Sequence, residues 1–245
     1  MQFFDTHIHL NDFEDKVKEI IEKALSCGID KMINMSAKPE DWQTVIKLSK
    51  KYPENIVPAL GIHPWYAGQI NKEDFNILEN LLKENKKAII GECGLDGLKP
   101  DFEKQTEVFL RQTGLAKKYN RPLIIHNVKA IDWFQNNWHE LPHRFVFHSY
   151  NGKIDFLKQI LDHGGYVGFN ASVFRSSRAD EVIKYMPANR ILLETDAPYQ
   201  GFVRGEENRP EALVEIFEKL AWIRAENKQK LASKIYQNSL NFIQQ

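Results

Sequence analysis

The sequence predicts a (β/α)8 barrel that spans residues 1–245 as a single domain. Short apolar runs alternate with longer amphipathic segments along the whole chain, and eight such pairs can be counted. Each short run is almost continuously apolar, as expected of a strand whose two faces are both buried in a parallel sheet. Alternating units of this kind define the α/β class, and eight of them in about 250 residues are typical of the barrel.

The predicted strands are the short apolar runs, which end in Gly, Pro or polar residues. They are residues 3–4, 31–35, 56–60, 88–90, 123–125, 145–147, 166–169 and 191–193. A doubly wound open sheet is the competing fold. It would more often carry a Gly-rich first turn, and no G-x-G-x-x-G follows Phe4.

The predicted helices show apolar residues at helical spacing, as Val17, Ile20 and Ile21 do in the first of them. They are residues 14–26, 42–51, 74–84, 102–119, 131–138, 154–162, 180–185, 211–225 and 228–242. We find no linker, low-complexity tract or internal repeat, which favours one domain over two.

Composition restricts the class of protein. The chain is 42% hydrophobic and 27% charged, and its 33 basic and 33 acidic residues give a formal net charge of zero. It therefore lacks the global basic field that drives extended nucleic-acid binding. Two cysteines make neither a disulfide framework nor a zinc ribbon. The start shows no signal-peptide pattern and the chain has no apolar run of about 18 residues, so we expect a cytoplasmic protein without membrane association. The sequence indicates no obligate protein partner.

The segment Asp5-Thr6-His7-Ile8-His9 follows the first predicted strand. Residues two apart in a strand point to the same side of a sheet, so His7 and His9 should project together. Two imidazoles held in this way make half of a metal site. A lone His-x-His is more often a pair of satisfied histidines, and the rest of the chain decides between the two interpretations.

Histidines recur immediately after the predicted strands. Five of the eight histidines stand there, together with two carboxylates: His7, His9, His63, His126, His148, Glu92 and Asp196. Random placement would put about one histidine at such positions, which are roughly a tenth of a barrel. Barrel active sites lie at the carboxyl ends of the strands, so these side chains should converge.

Imidazoles and carboxylates without thiolates suit Zn²⁺, Ni²⁺, Co²⁺ or Mn²⁺. A single catalytic zinc needs three protein ligands, so this larger set predicts two divalent ions. Strands one and eight are neighbours in a closed barrel, and we expect His7, His9 and Asp196 to hold one ion. His126 and His148 would hold the other, with Glu92 as the bridge.

Two metal ions about 3.5–4 Å apart activate a water and polarise the bond under attack, which is the chemistry of hydrolysis at a phosphoryl or carbonyl centre. Asp196 is placed to take the proton of the water, and Glu92 is the predicted bridge between the two ions. These two are therefore the predicted catalytic residues. His63 is a predicted substrate-binding residue, although its position before Pro64 also fits a residue that only braces a turn.

Six motifs occur in order along nearly the whole chain. They read D-T-H-I-H-L, G-I-H-P-W, G-E-C-G-L-D, L-I-I-H-N, F-H-S-Y-N-G and L-L-E-T-D-A-P-Y. This set resembles that of the TatD family of metal-dependent deoxyribonucleases in the amidohydrolase superfamily. The resemblance implies a barrel and two divalent ions (Zn, Mg, Mn, Ni or Co). It also implies 3′-to-5′ exonuclease action on DNA at a single-stranded or frayed end. It carries metal-ligand roles onto His7, His9, Glu92, His126, His148 and Asp196.

The sequence departs from the family pattern around the substrate. The family usually has His-Ser-Arg where this chain has His126-Asn127-Val128, and Val128 cannot bind phosphate. The departure motivates an alternative, an amidohydrolase-type enzyme acting on an amide, a lactone or a small phosphoester. A second alternative is an inactive nucleic-acid-binding protein; zero net charge and the complete ligand set argue against it.

A few further residues have candidate roles near the predicted mouth of the barrel. Asp96 and Glu194 would support metal ligands, although helix capping or solvation explains either one equally simply. Trp65 is the one tryptophan placed to stack a base, because it follows His63. The predicted phosphate contacts are Arg175, Arg178 and Arg204.

Overall fold

Eight parallel strands form one sheet in the order β1 to β8 in the computed structural model, which describes residues 1–244. The strands are β1 (Phe3–Ile8), β2 (Ile29–Met35), β3 (Ile56–Leu60), β4 (Ile89–Asp96), β5 (Leu123–Val128), β6 (Phe145–Phe147), β7 (Tyr166–Phe169) and β8 (Ile191–Leu193). β8 lies beside β1, so the fold is the (β/α)8 barrel that the sequence predicts.

A helix follows each strand, and a ninth closes the chain. The helices are α1 (Val17–Ser26), α2 (Trp42–Lys51), α3 (Lys72–Glu84), α4 (Phe102–Lys118), α5 (Ile131–Asn136), α6 (Ile154–Asp162), α7 (Ala179–Tyr185), α8 (Ala212–Arg224) and α9 (Lys228–Ile243). Short 3₁₀ segments stand between some strands and their helices, including Pro64–Gln69 after β3 and Ala171–Arg175 after β7. Over residues 1–244, every helix is too short or too polar to cross a bilayer.

The chain forms two compact units. The terminal unit comprises residues 1–34 and 148–244, and the central unit comprises residues 35–147. In the terminal unit, Phe3 of β1 packs against Phe217 of α8, with ring centroids 5.1 Å apart. In the central unit, the ring of Phe134 in α5 meets that of Phe147 in β6 at 4.9 Å. The prediction of a single domain stays a prediction.

β4 and β5 are longer than the sequence predicts. The prediction ended β4 at Ile90, where the apolar run leads into Gly91 and Glu92. In the structure β4 continues to Asp96, since Cys93 to Asp96 pair in register with Ile125 to Val128 of β5. Glu92 and His126 therefore lie within strands, as His7 does in β1, whereas the sequence predicted that all three follow their strands. A strand fixes its backbone by hydrogen bonds on both sides, which suits a residue that must hold a defined direction.

Candidate metal centre

The terminal unit brings together His7, His9 and Asp196. His7 is the fifth residue of β1, His9 directly follows that strand, and Asp196 follows β8. The Nε2 atoms of the two histidines are 3.2 Å apart. Asp196 Oδ1 lies 3.5 Å from His7 Nε2 and 3.4 Å from His9 Nε2. All three side chains are buried, so their ligand atoms converge on one enclosed point.

Backbone hydrogen bonds fix this cluster, because they tie β1 to the segment after β8. The amide of Asp196 donates to the carbonyl of His7 at 2.8 Å, and the hydroxyl of Thr6 donates to the carbonyl of Leu193 at 2.9 Å. Asp196 has a φ of 59°, a left-handed conformation that a non-glycine residue adopts only where the surroundings impose it. The side chain of Asn208 holds the same segment by donating to the carbonyl of Thr195 at 2.8 Å.

Asp5 is fully buried beneath the cluster. Its carboxyl accepts hydrogen bonds from the hydroxyl of Thr195 at 2.5 Å, the amide of Thr195 at 3.0 Å and the amide of His7 at 3.2 Å. Burial raises the pKa of Asp5 to about 7, although these hydrogen bonds oppose the shift. Asp5 is thus a hydrogen-bond acceptor with a structural role. It links the segment that carries His7 to the segment that carries Asp196.

Burial also works against ionisation of Asp196, but the histidines outweigh it. Hydrogen bonding with His9 and the charges of His7 and His148 lower the pKa of Asp196. An ionised carboxylate is the form that binds a divalent cation.

His148 and Glu194 adjoin His7 in the same unit. The rings of His7 and His148 stack with centroids 4.1 Å apart and planes inclined by 13°. His148 Nδ1 lies 3.7 Å from Glu194 Oε1, and Glu194 accepts a 2.5 Å hydrogen bond from the amide of Ser149. The ligand atoms of His7, His148 and Glu194 lie within 4.8 Å of one another, which makes a second potential ligand set. Glu194 therefore adjoins a predicted ligand, where the sequence allowed a solvated strand end.

The central unit carries its own cluster of His63, Glu92 and His126. Glu92 Oε1 lies 2.7 Å from His126 Nδ1 and 3.5 Å from His63 Nε2, and the two imidazoles approach to 3.2 Å. These three ligand atoms also fall within 4.8 Å of one another. The sequence predicted His63 only as a substrate-binding residue. Its geometry is that of a third potential ligand, and its place after β3 is the signal that could have shown this.

Buried glutamine side chains hold the segments that carry this cluster. Gln112 of α4 accepts from the amide of Ile62 at 2.8 Å and donates to the carbonyl of the same residue at 3.1 Å. Gln105 makes the equivalent pair with the amide and carbonyl of Asp96, at 2.8 and 3.1 Å. Such two-point contacts clamp the loop before His63 and the end of β4 onto one helix.

Asp96 faces the ring nitrogen of His126 that does not contact Glu92. Its Oδ2 lies 3.8 Å from His126 Nε2 and accepts a 2.7 Å hydrogen bond from the indole of Trp65. Burial acts to raise the pKa of Asp96, but the interaction with His126 and the hydrogen bond from Trp65 outweigh it and lower the pKa to about 2. An ionised carboxylate fixes the orientation and tautomer of the histidine it faces.

The donor atoms of both units fit divalent metal ions. Each cluster offers imidazole nitrogens of buried or part-buried histidines with a carboxylate oxygen and no thiolate, which is a set that borderline divalent cations accept. The predicted pairing of His126 with His148 on one ion, and the predicted bridge through Glu92, would join residues of the two units. Both stay predictions, as do the ligand roles themselves.

The three predicted phosphate-binding arginines line a single cleft of the terminal unit. Its volume is about 230 Å³, and its walls are Asn151, Ser172, Arg175, Ser176, Arg178 and Arg204. Arg175 is held in place because its guanidinium donates to the side chain of Gln200 at 2.6 Å and to the carbonyl of Gly201. The loops after strands seven and eight are where barrel enzymes frequently bind phosphate.

Comparison with known proteins identifies the family of the chain. The family model of TatD related DNase matches residues 4–244. An uncharacterized metal-dependent hydrolase of Haemophilus influenzae is 30% identical, with 98% of each chain covered. The 3′-5′ ssDNA/RNA exonuclease TatD of Pantoea ananatis is 28% identical over 96% of this chain and 97% of its own. The crystal structure of YjjV, a TatD homologue from Escherichia coli, superposes with a TM-score of 0.91 at 28% identity, covering 98% and 97% of the two chains.

The barrel and its clusters of histidine and carboxylate side chains define the class of metal-dependent hydrolases. Within that class, the chain belongs to the TatD related DNase family, which confirms the resemblance drawn from the six motifs.

Proposed function

We propose that the protein is a divalent-metal-dependent deoxyribonuclease that removes nucleotides from the 3′ end of single-stranded or frayed DNA. The observation that carries the proposal is that each unit has a cluster of histidine and carboxylate side chains: His7, His9 and Asp196 in the terminal unit, and His63, Glu92 and His126 in the central unit. The further set of His7, His148 and Glu194 shares His7 with the terminal cluster. A single tetrahedral site needs only three protein ligands, and two complete sets favour two ions. The Pantoea relative that is named a 3′-5′ ssDNA/RNA exonuclease supports the substrate class and the polarity.

In this proposal His7, His9 and Asp196 hold one ion, and Glu92 and His126 hold the other with His63 beside them. His148 is the sixth predicted metal ligand. The donor atoms are compatible with Zn, Mg, Mn, Ni or Co. When bound, a pair of such ions polarises the phosphodiester and lowers the pKa of water at the site. A cytoplasmic location stays a prediction.

The protein side chains have separate tasks around this chemistry. The ionised Asp196 accepts the proton that the attacking water loses, which is the role of a general base. Asp96 orients the ring of His126, and Glu194, fixed by the Ser149 amide, orients that of His148. The three cleft arginines bind phosphates of the strand, since a guanidinium matches the geometry of a phosphate oxygen pair.

The proposal is tested by hydrolysis of an end-labelled single-stranded oligonucleotide. Chelator-stripped protein receives Mg²⁺, Mn²⁺, Zn²⁺, Co²⁺ or Ni²⁺ singly, and the products are resolved by length. We expect a ladder that shortens from the 3′ end, is restored by metal and is abolished in Glu92→Ala. A duplex of the same sequence, cleaved only from its frayed ends, gives the strand preference.

The second candidate is a hydrolase of amides, lactones or small phosphoesters. The observation that favours it is Val128, a residue with no phosphate-binding group, at the position where the family usually has arginine. A panel of such substrates, run with the same metals, separates the two functions. Turnover of a lactone or amide without any DNA ladder would replace the nuclease proposal with this one.

A further inference from the structure

Trp65 is an exposed aromatic residue that is held by polar contacts and not by the core. It is 55% exposed, yet its indole N–H donates a 2.7 Å hydrogen bond to Asp96 Oδ2. The ring of His63 meets it edge-on, at a centroid distance of 5.1 Å and an angle of 88°. A tryptophan placed only for packing would bury its ring. Here the ring is fixed at its edge while much of its surface remains available.

One anchor of Trp65, His63, belongs to the central cluster of His63, Glu92 and His126, and the other, Asp96, adjoins it. His63 lies 3.5 Å from Glu92, and Asp96 lies 3.8 Å from the ring of His126. The indole is therefore one contact away from the proposed ligands on two sides. A group that lies against its ring is consequently close to the atoms that would carry out hydrolysis.

An open cleft extends from this ring. Its volume is about 530 Å³, and its walls include Trp65, Tyr66, Gln69, Lys99, Asp101 and Gln105. Small-molecule sites are typically about 300–1,000 Å³, so the cleft can take a nucleotide. The ammonium group of Lys99 lies 4.2 Å from the centroid of the Trp65 ring. One wall thus combines an aromatic face with a mobile cation, which matches the two parts of a nucleotide, its base and its phosphate.

We propose that Trp65 and Lys99 form a nucleotide subsite, in which an unpaired base stacks on the indole and Lys99 binds an adjoining phosphate. This inference rests on the proposed nuclease function and adds to it the means of gripping the strand. Every base has a π-face, so stacking of this kind is largely independent of sequence. Bases inside a duplex are already stacked on their neighbours, and the subsite therefore favours single strands.

The flexible stem of Lys99 allows the exchange. Its ammonium covers the ring when no base is present, and an exposed cation–π contact is weak. A stacked base displaces the ammonium group of Lys99 towards the phosphate, where it faces an opposite charge. The indole hydrogen bond to Asp96 is unaffected by this exchange, because it lies in the plane of the ring.

The test compares Trp65→Ala, Trp65→Phe and a matched control, Trp222→Ala, on metal-loaded protein. Trp222 is 78% exposed on α8 of the terminal unit. For single-stranded oligonucleotides we expect Trp65→Ala to raise KM by about 5- to 150-fold, the range of a lost base–aromatic stack. We expect kcat to stay within about threefold. Trp65→Phe keeps a ring face and should restore most of the loss, and Trp222→Ala should change nothing.

An abasic nucleotide moved along the substrate provides a readout that a merely structural role would not change. With wild type, KM should rise when the abasic position falls in the subsite. Trp65→Ala should be insensitive to that position. Lys99→Gln should reduce the slope of log affinity against log salt by about 0.7, the value for one contact to a single strand. Equal KM values for wild type and Trp65→Ala, or equal sensitivity to the abasic position, would overturn the inference.

Binding of a phosphorothioate oligonucleotide by the same metal-loaded proteins separates this inference from the proposed function. Cleavage by wild type together with Trp65-independent KM and binding would remove the subsite and leave the nuclease. Absence of cleavage together with Trp65-dependent binding would remove the nuclease and keep the subsite. Loss of both would overturn both.

Discussion

The terminal and central clusters contain similar ligands but are supported differently. In the terminal unit, main-chain hydrogen bonds between β1 and the segment after β8 fix His7 and Asp196, and the buried Asp5 ties the two segments together. In the central unit, side-chain contacts hold the ligand residues in place. Asp96 faces His126 and receives the indole of Trp65, an exposed residue beside an open cleft. We infer that the terminal cluster is the more rigid of the two and that the central cluster is the one that adjoins the proposed nucleotide subsite.

The carboxylates of the two clusters provide the largest expected effect. Asp196→Asn and Glu92→Gln each keep the shape of the side chain and remove its charge. We expect each to lower kcat/KM on single-stranded DNA by about 10²- to 10⁴-fold, since each removes a group acting directly on the reaction. Steady-state kinetics measures the loss.

Glu79→Gln is the matched control for these variants. Glu79 is a carboxylate of α3 in the central unit that pairs with Lys118 and Tyr119. Its substitution should leave activity unchanged, and thermal unfolding should show all three variants folded. Full activity in either cluster variant would mean that its cluster takes no part in catalysis.

The supporting carboxylates should give the next largest effect. Glu194→Gln weakens the contact to His148, and Asp96→Asn weakens that to His126. Each should lower metal affinity about 10- to 100-fold, the usual range for groups that orient a metal-binding histidine. Metal titration of stripped protein measures both. If the central cluster depends more on side-chain support, Asp96→Asn should show the larger change.

Gly168→Ala tests whether the position of the Glu194 carboxylate matters, because it displaces the carboxylate sterically and leaves its charge unchanged. A Cβ at Gly168 would lie 2.1 Å from Glu194 Oε2, so the carboxylate must move. We expect metal affinity to fall as it does in Glu194→Gln. Gly114→Ala is the control, because a Cβ there meets nothing within 4 Å and the residue lies inside α4. It should raise the free energy of unfolding by about 0.5–1 kcal/mol and leave metal affinity unchanged. Unaltered affinity in Gly168→Ala would show that Glu194 has no role in the site.

The arginine cleft of the terminal unit should contribute to binding but not to chemistry. Replacing Arg178 and Arg204 with alanine removes two of its three guanidinium groups. The slope of log affinity against log salt should decrease by about 1.4 for the pair, at about 0.7 for each phosphate contact to a single strand. Anisotropy of a labelled oligonucleotide over a range of salt concentrations measures the slope. An unchanged slope would place the strand away from these loops.

The smallest expected effect concerns stability and not activity. Hydrogen bonds from Lys118 and Tyr119 lower the pKa of Glu79 from 4.5 to about 2. The resulting stabilisation is present above pH 4.5 and is lost as the pH falls towards 2. At pH 7, Glu79→Gln should lower the free energy of unfolding by less than about 1 kcal/mol, because the pair lies at the surface with Lys118 exposed to solvent. Denaturant unfolding at several pH values should show the difference disappear in acid; a constant difference would assign it to packing.

Much of the fold followed from local patterns, and the remainder depended on pairing between distant segments. The bounds of β3, β6, β7, β8, α2 and α6 agree with those predicted, because apolar runs and turn residues mark both of their ends. β4 extends through two glycines only because β5 lies in register beside it. No local pattern contains that information.

The same distinction applies to the candidate site. His7 and His9 were grouped with Asp196 by strand spacing and by the adjacency of strands one and eight, and the structure brings the three together. His63 was not grouped with Glu92, since its reach depends on a loop that Gln112 clamps from fifty residues further along the chain. The hydrogen bond from Trp65 to Asp96 likewise joins the 3₁₀ segment after β3 to the end of β4. Side-chain contacts of this kind are set by tertiary structure.

The central claim, that each unit holds its own metal ion, is tested most directly by metal stoichiometry. Stripped protein is equilibrated with Mn²⁺ or Zn²⁺, passed through a desalting column and analysed by mass spectrometry of the metal. We predict two ions per chain in wild type, one in His9→Ala, one in His126→Ala and none in the double variant. A wild type that retains a single ion, lost in both single variants, would contradict the claim.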